Sequence, residues 1–208
     1  YQERFIIDAW DKQASLVLTE DWPRRRIYHT WHQNRWRERV LDTFPEAIAA
    51  VLAELQERGP LTSAAFAYQE HKDEWRDSWY GPRLTKNVLR ALWHTGKVLT
   101  HSRKHGHHVY DLAERIIPPS LHAATPYSAH DSTEWLITLR HQATGLLRPQ
   151  AGSEVWSLGI PAPERHAIHA ALIRRGELVP VDIAGVRFYA LPGILQQLDT
   201  MRAPERMV

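Results

Sequence analysis

The sequence predicts a mainly α protein with small β-wings, an α+β class, and three observations support that expectation. Apolar residues recur at helical spacing, as at Ile48, Val51, Leu52 and Leu55. A glycine ends a helical pattern at Gly96 and leads into two short strands around a second glycine. That unit then returns 80 positions later. Ala91-Leu92, Gly96-Lys97-Val98, Gly106, Tyr110 and Leu112 are matched by Ala171-Leu172, Gly176-Glu177-Leu178, Gly185, Tyr189 and Leu191. Helices followed by a two-stranded hairpin, repeated once, read as tandem winged helix-turn-helix modules.

In order along the chain, Ala14–Thr19 reads as a strand closed by the turn signal Asp21-Trp22-Pro23. A helix is predicted from Pro23 to Thr43, with proline favoured in its first turn. Pro45–Arg58 is a second helix, ended by Gly59-Pro60. Thr62 or Ser63 is expected to cap a short helix through Tyr68, and Glu70–Asp77 reads as a charged loop. The next helix covers Pro82 to Thr95 with Leu84, Val88, Leu89 and Leu92 inward. Strands at Lys97–Ser102 and His107–Leu112 flank a basic glycine turn. After a proline-bearing linker at Ile117–Tyr127, Asp131-Ser132 is expected to cap a helix through Ala143. Pro161-Ala162-Pro163 leads into a helix ending at Gly176, and strands Glu177–Asp182 and Val186–Leu191 flank Ala184-Gly185. The expected division is 1–44 (a strand and basic helix, the remnant of a preceding module), 45–119 (the first module) and 120–208 (the second).

Composition limits the function classes. With 208 residues and 43% hydrophobic content, the chain has enough apolar material for two small cores. No apolar run approaches the roughly 20 residues that span a bilayer. Cysteine is absent, which excludes disulfides, thiolate chemistry and cysteine-dependent zinc sites. The polar start without Met points to a piece of a longer protein, expected in the cytoplasm and associated with the nucleoid.

A formal charge of only +2 means that the placement of charge carries the argument. Between Gly81 and Gly106 stand six basic residues, Arg83, Lys86, Arg90, Lys97, Arg103 and Lys104, and no acid. Arg83, Lys86 and Arg90 fall on one helical face opposite the leucines, where a recognition helix meets the major groove. Asn87 beside them has the amide that reads a base edge. Arg24 and Arg25 extend the basic character into the first helix. The second module is more balanced, with Arg165, Arg174, Arg175 and Arg187 set against Glu164, Glu177 and Asp182, and reads as a packing partner.

The hairpin tip is rich in histidine (His101, His105, His107, His108), and His105 is expected to add a phosphate contact. Adventitious metal binding at His105 and His107 is the alternative, but no carboxylate stands nearby to complete a site. Among nine tryptophans, Trp10, Trp31, Trp93, Trp135 and Trp156 read as core, and Trp75, Trp79 and Tyr80 as caps on it. No phosphate loop, helical His-x-x-x-His pair or nucleophile elbow occurs, so no catalytic, metal-binding or cofactor-binding residue is assigned.

The stretch Tyr80–Pro118 resembles the YcaQ/AlkZ-like winged-helix DNA glycosylase family. The resemblance rests on Leu92-x-x-x-Gly96-Lys97-Val98, the basic wing, Val109-Tyr110-Asp111-Leu112 and Arg115-x-x-Pro118, with Arg58-Gly59-Pro60-Leu61 upstream and Arg174-Arg175-Gly176-Glu177-Leu178 downstream. It implies excision of alkylated or crosslinked bases by hydrolysis of the N-glycosidic bond in the intact protein. It also implies a catalytic Gln-x-Gln or Gln-x-Asp segment upstream of this chain. Gln197-Leu198-Asp199 stands in the wrong place for that motif, and Lys12 replaces a histidine that many relatives have after the tryptophan at Trp10.

The expected function is therefore DNA binding within a repair glycosylase, with double-stranded DNA as partner, no cofactor, no membrane and a monomeric state. A winged-helix transcription regulator and a protein-interaction scaffold without DNA binding are the alternatives.

Overall fold

The computed structural model describes residues 3–11, 13–30, 35–68, 84–156 and 160–198. It divides the chain into two units, Tyr1–Tyr127 and Ser128–Val208. Both are α+β, with small antiparallel sheets among helices.

The first unit opens with a hairpin that sequence reasoning halved. β1 (Ile6–Trp10) pairs antiparallel with β2 (Ala14–Leu18), and only β2 was expected. The single helix expected over 23–43 is interrupted. α1 (Trp22–Arg25) and α2 (Ile27–Thr30) are separated at Arg26, and α3 (Arg35–Thr43) comes after them. At the break, Arg26 donates to the carbonyls of Ala124 and His122, while Arg25 turns inward to Asp11. α4 (Pro45–Arg58) ends at Gly59 as expected, and β3 (Leu61–Thr62) comes next.

The short helix expected from Thr62 is replaced by a turn at 63–65. The Glu54 carboxylate accepts the backbone N–H groups of Ala67 and Tyr68, which ties down the segment while Phe66 enters the core. Burial alone would raise the Glu54 pKa, but those N–H donors and Arg58 outweigh it and hold the carboxylate below its usual range.

α5 (Leu84–His94), β4 (Val98–Lys104) and β5 (His107–Leu112) complete the expected helix and hairpin. The sheet order is β3-β5-β4. The helix-to-strand joint is a Schellman cap: Gly96 N–H donates to Trp93 O and Lys97 N–H to Leu92 O, with Gly96 at φ 66°. His105 and Gly106, both at positive φ, form the two-residue turn of the hairpin. α6 (Ala113–Ile116) and α7 (Pro119–His122) close the unit.

Two cores meet in this unit. The first gathers Val51, Leu55, Phe66, Leu84, Val88, Leu89, Leu92 and Val98. The second gathers Ile7, Ala9, Val17, Trp22, Leu99, Ile116 and Ile117. Val98 and Leu99 are neighbours on β4, so strand alternation sends one side chain into each core. Residues 1–44 therefore share cores with the remainder of the first unit, and the expected boundary at 44/45 is not where the chain separates.

The second unit repeats the plan. α8 (Ala129–Thr144) is capped by Ser128, whose Oγ accepts from Asp131 N–H, three residues before the expected cap. Beyond it come α9 (Ser153–Trp156) and α10 (Ala162–Arg174), and then β6 (Val179–Ile183), β7 (Val186–Ala190) and α11 (Pro192–Leu198). Gly176 N–H donates to Ile173 O and Glu177 N–H to Leu172 O, the same cap as at Gly96. Leu147 bridges Tyr189 on β7 as Leu61 pairs with Tyr110 on β5. The internal repeat thus extends to the short third strand. No helix among the described residues is long and apolar enough to cross a membrane.

Candidate nucleic-acid interface

The contact candidates singled out in the sequence divide into four groups, one of them the half-buried Arg24. Lys86, Arg90, Lys97, Arg103, Lys104 and His105 are exposed. Arg25 and Asn87 are buried, at 5% and 4% exposure. Arg83 lies outside the described residues, as do Lys12, Trp31, Trp75, Trp79, Tyr80 and Asp199. Gln197 is exposed on α11.

The buried pair corrects the expected surface. Arg25 donates two hydrogen bonds of 3.2 Å to Asp11 Oδ2 and serves the fold. Arg24 is half-buried, with its guanidinium 4.3 Å from the centre of the Tyr127 ring. Asn87 is covered because α5 is buried on two sides. Its leucines face the first core, and Trp93 and His94 face the N-terminal hairpin. Trp93 Nε1 donates to Asp8 O at 3.2 Å, and the His94 ring lies 4.8 Å from that of Trp10. Only Lys86 and Arg90, one turn apart, are exposed on this helix. A helix enclosed in this way does not offer the open face that major-groove insertion requires.

Between α5, the hairpin β4–β5 and β2 lies a pocket of about 360 Å³. Lys86, Asn87, Arg90 and Trp93 line it from the helix. Thr100, His108 and Tyr110 line it from the hairpin, and Ala14 from β2. The His108 and Tyr110 rings stack, with centroids 5.8 Å apart and planes 16° apart. Thr100 Oγ1 lies 2.9 Å from His108 Nδ1, which fixes that ring. Burial, followed by the Arg103 charge, pushes the His108 pKa down against the opposing pull of Asp8, and this favours the neutral ring at pH 7.

Arg103 is not a simple surface cation, for its guanidinium lies 3.4 Å from the carboxylate of Asp8, itself buried on β1. Lys104 and His105 are exposed at the tip, and Lys97 is exposed where the hairpin begins. Among the described residues, no group of three or more metal-ligating side chains gathers.

The Asp111 and Arg115 of the family-like motif have structural work. Arg115 donates to the carbonyls of Leu55 and Gln56 at the C-terminal end of α4, and lies 3.3 Å from Asp111 Oδ1. Asp111 also accepts from Leu112 N–H. A cation on the last carbonyls of a helix satisfies groups that otherwise lack partners.

In the second unit two of the exposed cations are paired. Arg175 bonds Glu177 and Glu134, and Arg187 bonds Asp182 through two contacts of 2.9 Å. Its hairpin tip carries exposed Ile183 and Val186 where the first carries Lys104 and His107. Of the tryptophans expected in the core, Trp156 is buried and Trp10, Trp93 and Trp135 are half-buried; Trp22, unassigned from sequence, is buried.

The structure thus defines an α+β protein made of repeated helix-and-hairpin units, one with an open cationic hairpin and one without. A family model described as DNA glycosylase AlkZ-like matches residues 1–208, and the chain belongs to that family. The fold is similar to that of Streptomyces sahachiroi DNA glycosylase AlkZ, at TM-score 0.61 and 14% identity. The match covers 97% of this chain and 56% of that one, so the chain spans little more than half of that relative's length.

Proposed function

We propose that this chain is a DNA-binding segment of a repair glycosylase, with tandem winged helices of which the first meets the duplex. The observation that carries the reading is the difference between the two hairpins. The first has exposed Lys104 and His105 at its tip, with Lys86 and Arg90 beside it on α5, whereas Arg175 and Arg187 of the second unit are paired with acids. Contact then runs mainly to phosphates through the wing and the rim of α5, because the remainder of α5 is enclosed. Double-stranded DNA is the partner and a single chain is the working unit. Excision of alkylated or crosslinked bases belongs to the intact protein, and no hydrolytic role is assigned to the described side chains. The regulator reading is disfavoured because the enclosed α5 is poorly placed to read a sequence.

Fluorescence anisotropy of a labelled duplex of about 20 base pairs, titrated with salt, tests the proposal. Wild-type chain is expected to bind with steep salt dependence and little sequence preference. The triple variant K86A/R90A/K104A, altered only at exposed positions, is expected to lose at least about tenfold in affinity at low salt. Unchanged binding by that variant, or none by the wild type at low salt, overturns the reading.

A further inference from the structure

Asn87 is only 4% exposed, yet its side-chain amide makes no hydrogen bond among the described residues, and it lines the pocket between α5 and the hairpin. Among the described residues, the buried side-chain atoms left without a partner do not include the Asn87 amide, so its polar atoms reach the water of the pocket, where a ligand with complementary polar atoms can meet them. Its neighbours narrow the chemistry. The stacked His108 and Tyr110 rings put aromatic surface on one wall, Trp93 adds a second, and Lys86 and Arg90 stand exposed at the rim. A planar heteroaromatic fits the walls, an adjacent donor and acceptor on its edge fit the amide, and anionic groups attached to it fit the rim cations. Those three features occur together in a nucleotide.

We infer that the pocket holds one unpaired nucleotide, its base edge on the Asn87 amide and its phosphates on Lys86 and Arg90. A base within a duplex presents no free face to such walls, so the occupant must be unstacked, as at a bulge or a single-stranded junction. Adenine offers an asparagine amide one such pair, two hydrogen bonds through N6 and N7. Other parts of the site are already committed: Thr100 is engaged with His108, and the Trp93 indole N–H with Asp8. Asn87 is therefore the residue left to hold the base edge. The inference rests on the DNA-binding reading above and adds to it a site for a nucleotide outside the helix.

The test compares two labelled duplexes of the same length, one fully paired and one with a single unpaired adenine. Wild-type chain is expected to prefer the bulged duplex by about tenfold, the scale of one or two charge-neutral hydrogen bonds plus stacking. Asn87→Leu, which keeps the volume and removes the amide, is expected to lose that preference while binding the paired duplex within about twofold of wild type. Ala14→Phe blocks the pocket from an exposed position on β2 and is expected to do the same, should the buried substitution fail to fold. Equal affinity of the wild type for both duplexes overturns the pocket assignment and leaves DNA binding standing. So does a preference that survives both substitutions. Binding to neither duplex overturns both readings.

Discussion

The Nε2 atoms of His141 and His169 lie 3.1 Å apart in the core of the second unit. At the far sides of the rings, His141 Nδ1 faces Tyr189 O at 3.3 Å and His169 Nδ1 faces Arg165 O at 2.8 Å. Filling all three contacts takes three protons, and two neutral imidazoles carry two. Burial, reinforced by His169, pushes the His141 pKa down to about 4 despite the Tyr189 carbonyl, and burial lowers His169 as well.

That arrangement makes the second unit acid-sensitive. Below pH 6.5 the unfolded chain takes up protons that the folded pair refuses, so stability is full above that pH and is lost as pH falls toward about 4. For His141 the loss at a pH of about 5.5 is on the order of 1 kcal/mol. Urea unfolding is expected to show a lower midpoint at a pH of about 5.5 than at about 7.5, with a smaller drop in His141→Phe. A midpoint that rises on acidification shows instead that the folded pair accepts the third proton.

Gly96 and Gly176 close equivalent helices in the same way, but substitution is expected to cost different amounts. Both sit at positive φ, 66° and 73°, so alanine at either is strained by about 1 kcal/mol. At Gly176 an added Cβ meets nothing within 4 Å. At Gly96 it would fall 2.2 Å from Cε1 of His29, whose ring is packed 4.9 Å from that of Trp22. Gly96→Ala is expected to destabilise by about 1–3 kcal/mol more than Gly176→Ala, as overpacking does. Denaturation of the two variants gives the difference, and equal costs show that His29 moves aside freely.

Arg24 and Arg25 are neighbours in sequence with different roles. Arg25 and Asp11 are both buried and in contact, so Arg25→Ala removes a charge-assisted pair of hydrogen bonds from a buried carboxylate and is expected to cost about 3–5 kcal/mol. Arg24→Ala removes one partly exposed stacking contact on Tyr127 and is expected to cost less than about 1 kcal/mol. Thermal unfolding orders the two; a larger loss at Arg24 reverses the assignment.

The repeat was legible because its signals are local. Glycines at positive φ, the strand pairs around them and the leucine spacing of α5 all lie within short stretches of chain. The fate of Asn87 and Arg25 was not legible, since helical spacing shows which side bears the leucines but not whether another segment covers the opposite side. Here the covering segment is the hairpin of Ile6–Leu18, more than 60 positions from α5. The charged Asp8 in the middle of β1 hid that strand; in the fold its carboxylate faces Arg103 and His108. The motif residues Asp111 and Arg115 drew attention through resemblance, and their structural task is to cap α4.

The same Asp8–Arg103 contact predicts an increase in DNA affinity from a substitution that removes a charge. Arg103 lies on the wing with its side chain about half exposed, but part of its charge is spent on the buried Asp8 carboxylate 3.4 Å away. Asp8→Asn keeps the shape and removes the negative charge, so less of the Arg103 charge is offset by Asp8. If one further phosphate is neutralised, the slope of log K against log salt steepens by about 0.9. Affinity at low salt is expected to rise accordingly, although the variant is less stable by about 1–3 kcal/mol for the loss of a charged partner. Arg103→Ala, by the same argument, is expected to flatten the slope less than Lys104→Ala does. Salt titrations of the three variants against one undamaged duplex measure these slopes; an unchanged or shallower slope in Asp8→Asn removes Arg103 from the DNA-contacting surface.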